Sequence, residues 1–135
     1  MAHAHDILKS HPIDSAIEPG ALERATEALA DCIQTCRICA DACLGERKVD
    51  MLRRCIGLNA DCAAICDATH AVLSRRTDSD PHVLRQQLQA CIAACEACAD
   101  ECRKHADQHE HCRICADACQ ECLHACQQAA GLVIV

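Results

Sequence analysis

The apolar positions of this chain recur at alternating intervals of three and four residues, in four stretches separated by short polar breaks. Because each residue of an α-helix turns by about 100°, this spacing places the apolar side chains of a stretch on one helix face. The polar residues between the stretches indicate where each helix begins and ends. We therefore predict four helices, over about 21–44, 51–76, 81–109 and 110–130.

The residues between these stretches are typical of helix ends. Gly45 follows the first helix as its stop, and Gly131 ends the fourth. Asp50 is the expected N-cap of the second helix, while Asp80 caps the third, with Pro81 at its first helical position. All connections are short, so neighbouring helices should run antiparallel. The sequence predicts an all-α protein, an antiparallel up-down-up-down four-helix bundle.

The two ends of the chain lie outside the four stretches. Residues 1–18, broken by Pro12, should form an N-terminal arm or a short extra helix. Residues 19–135 should form the bundle. The tail Leu132–Val135 is apolar, and we expect it to pack on a neighbouring helix or subunit.

The inward face of each predicted helix is lined with cysteine. The chain has 16 cysteines and no Phe, Trp or Tyr, so aromatic side chains cannot fill the core. The octapeptide CRICADAC occurs at 36–43 and again at 112–119, and CEACADEC at 95–102 is a near copy. The four stripes are Cys32, Cys36, Cys39 and Cys43; Cys55, Cys62 and Cys66; Cys91, Cys95, Cys98 and Cys102; and Cys112, Cys115, Cys119, Cys122 and Cys126.

Antiparallel packing should bring these stripes together as layers. Counted from the end with the first and third loops, the layers are Cys43, Cys55, Cys102 and Cys112; Cys39, Asn59, Cys98 and Cys115; Cys36, Cys62, Cys95 and Cys119; and Cys32, Cys66, Cys91 and Cys122, with Cys126 beneath. Leucines continue the stripes at the far end and should hold the metal-free fold together: Leu22, Leu29, Leu73, Leu84 and Leu88.

The start of the chain has no apolar segment behind a basic group, and no run of about 18 apolar residues follows. We therefore expect a cytoplasmic protein, in a compartment where thiols stay reduced and can bind metal. The net charge of −7 argues against nucleic acid or an anionic membrane as a partner.

Several interpretations other than metal binding compete for the cysteines. Plain packing is disfavoured, because leucine or valine would stabilise a core better and resist oxidation. Disulfides within a helix are disfavoured, since Cβ atoms at i and i+4 lie about 5–6 Å apart and a disulfide needs about 3.8 Å; bridges between helices stay open as an alternative. A thioredoxin-like site would need a βαβ pattern, and ferredoxin-type Fe–S runs use Cys-Pro or looped spacings that this sequence lacks.

Zn(II) and Cu(I) are the two metals that thiolate stripes suit. Zn(II) takes four ligands, so the thiolates would hold about four ions, each site keeping a charge of about −2. Cu(I) is softer and accepts two or three sulfurs, and two metal–sulfur bonds span about 4.6 Å, within reach of a Cys-x-x-x-Cys pair. One Cu(I) per thiolate leaves the buried cluster neutral, and unpaired buried charge is costly. The sequence therefore favours Cu(I), at roughly one ion per cysteine.

Further candidate ligands lie near the first cysteine layer. His105 and His109 continue the third stripe at its own spacing, and Met51 lies one turn before the second stripe. Imidazole and thioether there would suit an entrance for copper; the alternative is that they are ordinary polar helix ends. His111 lies nearby but off the stripe, and Asn59 leaves a gap in the lining, so both are candidates for modulating uptake.

The repeated Cys-x-x-x-Cys-x-x-Cys-x-x-x-Cys pattern on the inward faces of a four-helix bundle resembles the bacterial cytosolic copper storage proteins. The resemblance covers all four predicted helices. It implies a homotetramer of four-helix bundles, with more than about ten Cu(I) ions in each protomer. Asn59 departs from the pattern, because an amide is a hard ligand in a cysteine-like position.

The leading functional hypothesis is storage and detoxification of Cu(I), a binding function without turnover, so we expect no enzymatic activity. A copper chaperone is a possible donor or acceptor. A zinc or cadmium buffer is the second hypothesis, and its metal-to-protein ratio should stop near about four. A thiol redox switch is the third; it would need one or two thiols far more reactive than the rest, and the stripes contain no such pair.

Overall fold

Six helical elements follow one another along residues 2–134, the part of the chain that the computed structural model describes. They are α1 (Ala2–Lys9), α2 (Pro19–Leu44), a 3-10 turn (Val49–Leu52), α3 (Arg53–Leu73), α4 (Pro81–Arg103) and α5 (Glu110–Gly131). α2 and α4 each pack against both α3 and α5. This arrangement confirms the predicted all-α four-helix bundle, and α1 is the short extra helix.

Acidic side chains cap the first turns of α2 and α4. The carboxylate of Glu18 accepts hydrogen bonds from the backbone N–H groups of Gly20 and Ala21 at 2.9 and 2.8 Å. These bonds, led by the one from Gly20, hold the pKa of Glu18 below its ordinary value. Asp80 caps α4 in the same way, as predicted. The caps satisfy backbone donors that have no partner within the helix.

The predicted start of α3 is wrong. The helix begins at Arg53, after the 3-10 turn, and its N-cap residue makes no side-chain cap hydrogen bond. Asp50 pairs instead with the guanidinium of Arg53 at 2.9 Å. An aspartate can serve either as a cap or as an ion-pair partner one turn away, and the local sequence does not distinguish the two.

The predicted end of α4 is also wrong, because the helix stops at Arg103 and does not reach His109. The N–H groups of Lys104, His105 and Ala106 bond to carbonyls three residues back, which tightens the chain into turns. Residues 104–109 thereby reverse the chain toward α5. A periodic stripe continues through such a turn in sequence although the helix does not.

The C-terminal tail packs against the segment that precedes α2. Ile17 and Val133 form an isolated antiparallel bridge, and the N–H of Glu18 donates to the carbonyl of Leu132 at 3.2 Å. Ile17 is almost fully buried, a contribution to the core that the sequence analysis missed. The tail therefore lies on its own chain up to residue 134; Met1 and Val135 lie outside the described residues.

The interior changes from leucine to sulfur along the bundle axis. The predicted leucine end is confirmed, since all five of its members are buried: Leu22, Leu29, Leu73, Leu84 and Leu88. This apolar plug gives the chain a core that does not depend on metal. Within residues 2–134, none of the helices is both long and apolar enough to cross a bilayer.

Candidate metal centre

Sulfur fills the bundle interior beyond the leucine end. All 16 cysteines are buried free thiols. Contacting sulfurs lie 3.5–4.0 Å apart, both within helices and between them. Around a three- or four-coordinate metal with bonds of about 2.3 Å, sulfurs lie about 3.8–4.0 Å apart. The thiols are therefore spaced for metal binding without movement of the helices.

Sulfur contacts between helices confirm the predicted layers. Each layer contributes at least one short cross-helix contact, and the second does so through Asn59. From the first layer downward, the contacts are Cys43–Cys112 at 4.0 Å and Cys55–Cys102 at 3.5 Å, Cys98–Asn59 at 3.0 Å, Cys36–Cys119 at 3.6 Å and Cys62–Cys95 at 3.9 Å, Cys66–Cys91 at 3.7 Å, and Cys126–Cys91 at 3.9 Å.

The layers also interlock along the axis. Within each of several groups, every sulfur lies within 4.8 Å of the others, and neighbouring groups share members. Three such groups are Cys32, Cys66, Cys95 and Cys122; Cys32, Cys36, Cys62 and Cys119; and Cys36, Cys98, Cys115 and Cys119. Because Cys32, Cys36 and Cys119 each belong to two groups, bound ions would occupy one continuous network of sulfurs and share ligands.

Asn59 is fully buried in the sulfur lining. Its Oδ1 accepts hydrogen bonds from the thiols of Cys98 at 3.0 Å and Cys115 at 3.2 Å, and its amide nitrogen donates to Cys55 at 3.8 Å. The amide is thus satisfied by thiols alone. It occupies the predicted gap in the second layer and holds two neighbouring S–H groups in one direction.

Burial disfavours the ionised form of two of the uppermost thiols, those of Cys43 and Cys112. Burial, and then the neighbouring Cys55, raise the pKa of the Cys43 thiol to about 11. Burial likewise raises the pKa of Cys112. The hydrogen bond from Cys102 acts the other way and lowers the pKa of Cys55. A thiol must ionise to bind a soft metal, so metal binding here must release protons.

His111 is the histidine that reaches the thiols at the mouth, which we define as the bundle end formed by residues 45–52 and 104–111. Its Nδ1 lies 3.5 Å from the sulfur of Cys39, 3.6 Å from that of Cys112 and 4.0 Å from that of Cys43. The four side chains form a candidate site with three sulfurs and one nitrogen. His111 falls off the stripe in sequence, but its position directly before Cys112 was a usable signal.

Glu46, in the loop after α2, joins two histidines of the mouth. Its Oε2 lies 2.9 Å from Nε2 of His111 and 3.0 Å from Nδ1 of His109. The hydrogen bond from His111 is the main cause that holds the pKa of Glu46 below its ordinary value. The two imidazole rings stack, with centroids 5.4 Å apart. Glu46 is not among the residues predicted from the sequence, because nothing in its neighbourhood marks a contact with α5.

His105 and Met51 are not placed as the stripes predicted. His105 follows the end of α4, and its Nε2 lies 3.0 Å from Oε2 of the buried Glu101. Met51 lies in the 3-10 turn, and 67% of its surface is exposed, so it does not face the thiol interior. His109 contacts Glu46 rather than a thiol. Their role as ligands during uptake stays a prediction.

A four-helix bundle whose interior is lined with overlapping groups of buried thiols defines a protein that holds many soft metal ions in its core. The sequence model of the copper storage protein family (Csp) matches residues 19–131. This chain belongs to the copper storage protein family, which is a family of metal-binding proteins and not of enzymes.

Solved structures and a curated protein show the same relationship. The chain is 47% identical to the copper storage protein Ccsp of Streptomyces lividans loaded with 10 copper equivalents, with a TM-score of 0.92 over 95% of this chain and 98% of that one. It is 36% identical to the Cu(I)-bound copper storage protein BsCsp3, with a TM-score of 0.73 over 82% and 98% of the two chains. It is 39% identical to the cysteine-rich protein YhjQ of Bacillus subtilis, over 70% of this chain and 82% of that protein.

Proposed function

We propose that this protein stores and detoxifies Cu(I) in the cytoplasm and binds more than about ten ions per chain. The observation that carries the proposal is the lining of 16 buried, unbridged thiols, whose sulfurs fall into overlapping groups with members within 4.8 Å of one another. Its Streptomyces lividans relative, a cytosolic copper storage protein that has been loaded with 10 copper equivalents, supports both the metal and the compartment.

Charge balance sets the expected capacity. A thiolate and a Cu(I) ion cancel each other's charge, so a core filled at one ion per cysteine stays neutral. We therefore expect roughly 14–20 Cu(I) per chain, the histidines accounting for any excess over the thiols. The sharing of sulfurs between neighbouring groups fits this ratio, because each bridging thiolate serves two ions.

The proposed function is binding and release without chemical turnover. The thiols near the mouth differ in hydrogen bonding but form one connected lining. A redox enzyme would need a distinct reactive pair, whereas a store needs many similar sites. We therefore expect no catalysis by this chain.

A zinc or cadmium buffer is the second candidate function. It is favoured by the four-sulfur groups, since Cys32, Cys66, Cys95 and Cys122 lie within 4.8 Å of one another, as a tetrahedral Zn(II) site requires. A closed four-thiolate site with one Zn(II) keeps a charge of about −2 in the core. That charge is the reason to prefer Cu(I).

Anaerobic titration of the reduced protein with Cu(I), and separately with Zn(II), tests the proposal. We expect Cu(I) to end at roughly 14–20 equivalents and Zn(II) at about four. The absence of aromatic residues leaves the ultraviolet clear for thiolate-to-copper absorption, which should rise almost linearly. A Cu(I) endpoint of four or fewer contradicts storage and favours the zinc buffer.

We propose a homo-oligomer, a tetramer, as the functional assembly. Large aliphatic side chains are exposed on the outer faces of the bundle, including Ile38 and Leu44 on α2 and Ile114 on α5. A second copy of the chain would bury them. Light scattering coupled to gel filtration measures the mass of the assembly directly.

We further propose a copper chaperone as donor or acceptor of the copper. The net charge of −7 argues against nucleic acid and anionic membranes as partners.

A further inference from the structure

Glu46 and the uppermost thiols contact opposite sides of one imidazole ring. Nε2 of His111 lies 2.9 Å from Oε2 of Glu46, while Nδ1 lies 3.5 Å from the sulfur of Cys39 and 3.6 Å from that of Cys112. The His111 side chain is 24% exposed and that of Glu46 is 32% exposed. The ring therefore stands at the boundary between solvent and the thiol core, with the carboxylate on its outer side.

The chemistry of the Glu46 carboxylate and the His111 imidazole determines which ring nitrogen carries the hydrogen. An ionised carboxylate only accepts hydrogen bonds, so Nε2 of His111 must carry the hydrogen. A neutral imidazole protonated at Nε2 has its lone pair on Nδ1, the nitrogen that faces the thiols. Metal-binding histidines commonly donate their other N–H to a carboxylate, which fixes both tautomer and ring orientation.

A second contact restrains the ring. The same carboxylate oxygen lies 3.0 Å from Nδ1 of His109, and the two rings stack at an interplanar angle of 22°. His111 is thus held on its outer side by the carboxylate and on one face by the ring of His109. Neither contact involves a thiol, so both are in place before copper binds.

We propose that Glu46 is a positioning residue that holds His111 with its Nδ1 lone pair directed at Cys39, Cys43 and Cys112. It acts through His111 and does not touch the ion. The inference rests on the proposed storage of Cu(I) and adds to it an outer residue that prepares the site at the mouth before the first ion arrives.

Three variants distinguish the hydrogen bond that positions His111 from the negative charge of Glu46. Glu46→Leu removes the acceptor. Glu46→Gln removes the charge but keeps a carbonyl oxygen that can accept from Nε2. Glu110→Gln is the matched control, because Glu110 is an exposed carboxylate at the same end of the bundle that contacts Arg113 and not His111.

Competition with a chromophoric Cu(I) chelator measures the affinity for the first equivalent, and titration measures the capacity. We expect Glu46→Leu to bind the first equivalent about 10- to 100-fold more weakly at unchanged capacity. Glu46→Gln should lose less, and Glu110→Gln should match the parent. Equal first-equivalent affinities for Glu46→Leu and Glu110→Gln would overturn the inference.

Nitrogen-15 NMR of the parent, labelled at histidine and free of copper, tests the assignment without a variant. We expect His111 to show a protonated Nε2 and an unprotonated Nδ1, and its Nδ1 signal to shift with the first Cu(I) added. A hydrogen on Nδ1 would overturn the inference. A parent protein that takes four or fewer Cu(I) contradicts the storage function instead, so the two failures are distinguishable.

Discussion

At the scale of single residues, Asn59 is the one interruption of the thiol lining. Its amide oxygen takes the place of a sulfur ligand and accepts from the thiols of Cys98 and Cys115. An amide oxygen is a poor ligand for a soft ion and a weak acceptor of a thiol proton. The second layer therefore offers copper fewer ligands than its neighbours.

Asn59→Cys should complete this layer and raise the Cu(I) capacity by about one ion, since it adds one soft ligand and one negative charge. Anaerobic titration counts the ions. Asn59→Ser, which keeps a hydrogen-bonding oxygen without adding a soft ligand, is the control and should retain the parent's count. Asn59→Asp should load its first ions faster, because a carboxylate can accept protons from adjacent thiols. Parental stoichiometry and rates in both the Cys and the Asp variants would show that the layer model is wrong at this level.

The sequence predicted the residues of the thiol lining well and those of the mouth poorly. Helical periodicity alone assigns every cysteine to an inward face, because each stripe repeats along a regular helix. His111 contacts three thiols although it is off the stripe, and Glu46 contacts it from the loop after α2. Such contacts depend on how this loop meets the start of α5 in space, and no local pattern encodes that.

At the scale of elements, the α4–α5 loop is the part that departs most from the periodic pattern. By stopping α4 at Arg103, the chain turns His105 toward the buried Glu101 and places His109 against Glu46. The loop is thereby tied to both neighbouring parts of the mouth through histidine–carboxylate contacts. Its histidines lie outside the thiol network, at the end of the bundle where we expect copper to enter.

Replacing His105 and His109 together by alanine should slow the uptake of the first Cu(I) ions and leave the capacity unchanged, because the thiols remain intact. Stopped-flow absorption in the ultraviolet measures the rate. Met51→Leu, which removes the predicted thioether ligand, should slow uptake as well, whereas Glu110→Gln is the matched control at the same end of the bundle and should load at the parental rate. If the double variant also loads at the parental rate, copper enters the bundle elsewhere.

The helix ends divide into those that a local signal determines and those that packing determines. Asp80 caps α4 and α2 stops before Gly45, as predicted, since cap hydrogen bonds are local. The start of α3 and the end of α4 are set by 3-10 turns whose residues resemble helix in composition. These turns form because the chain must reverse its direction between neighbouring helices of the bundle.

At the scale of the whole molecule, a buried thiol with a raised pKa makes the stability of the metal-free protein depend on pH. Burial raises the pKa of Cys43 to about 11, whereas a cysteine of the unfolded chain ionises near about pH 8.5. Between these values the unfolded chain has released a proton that the folded chain still binds. The free energy of unfolding therefore falls as the pH rises through this interval.

We therefore expect the thermal midpoint of the reduced, copper-free protein to fall from about pH 8.5 to about pH 11. Circular dichroism at about 222 nm, which reports helix content, follows the transition. The copper-loaded protein is the control, because its thiols are already deprotonated in the folded state, and its midpoint should change little. A midpoint of the copper-free protein that is constant or rises across this interval is the contrary result.

The central claim is that the buried thiols hold copper as a neutral thiolate core. Native mass spectrometry of the reduced protein, loaded anaerobically, tests this claim most directly, because it counts ions per chain and shows from the mass gained per ion whether each replaces a proton. We expect roughly 14–20 Cu(I) per chain, with about one proton lost for each ion bound to thiolate. A loaded chain that saturates at four or fewer ions, or that gains copper without losing protons, would contradict it.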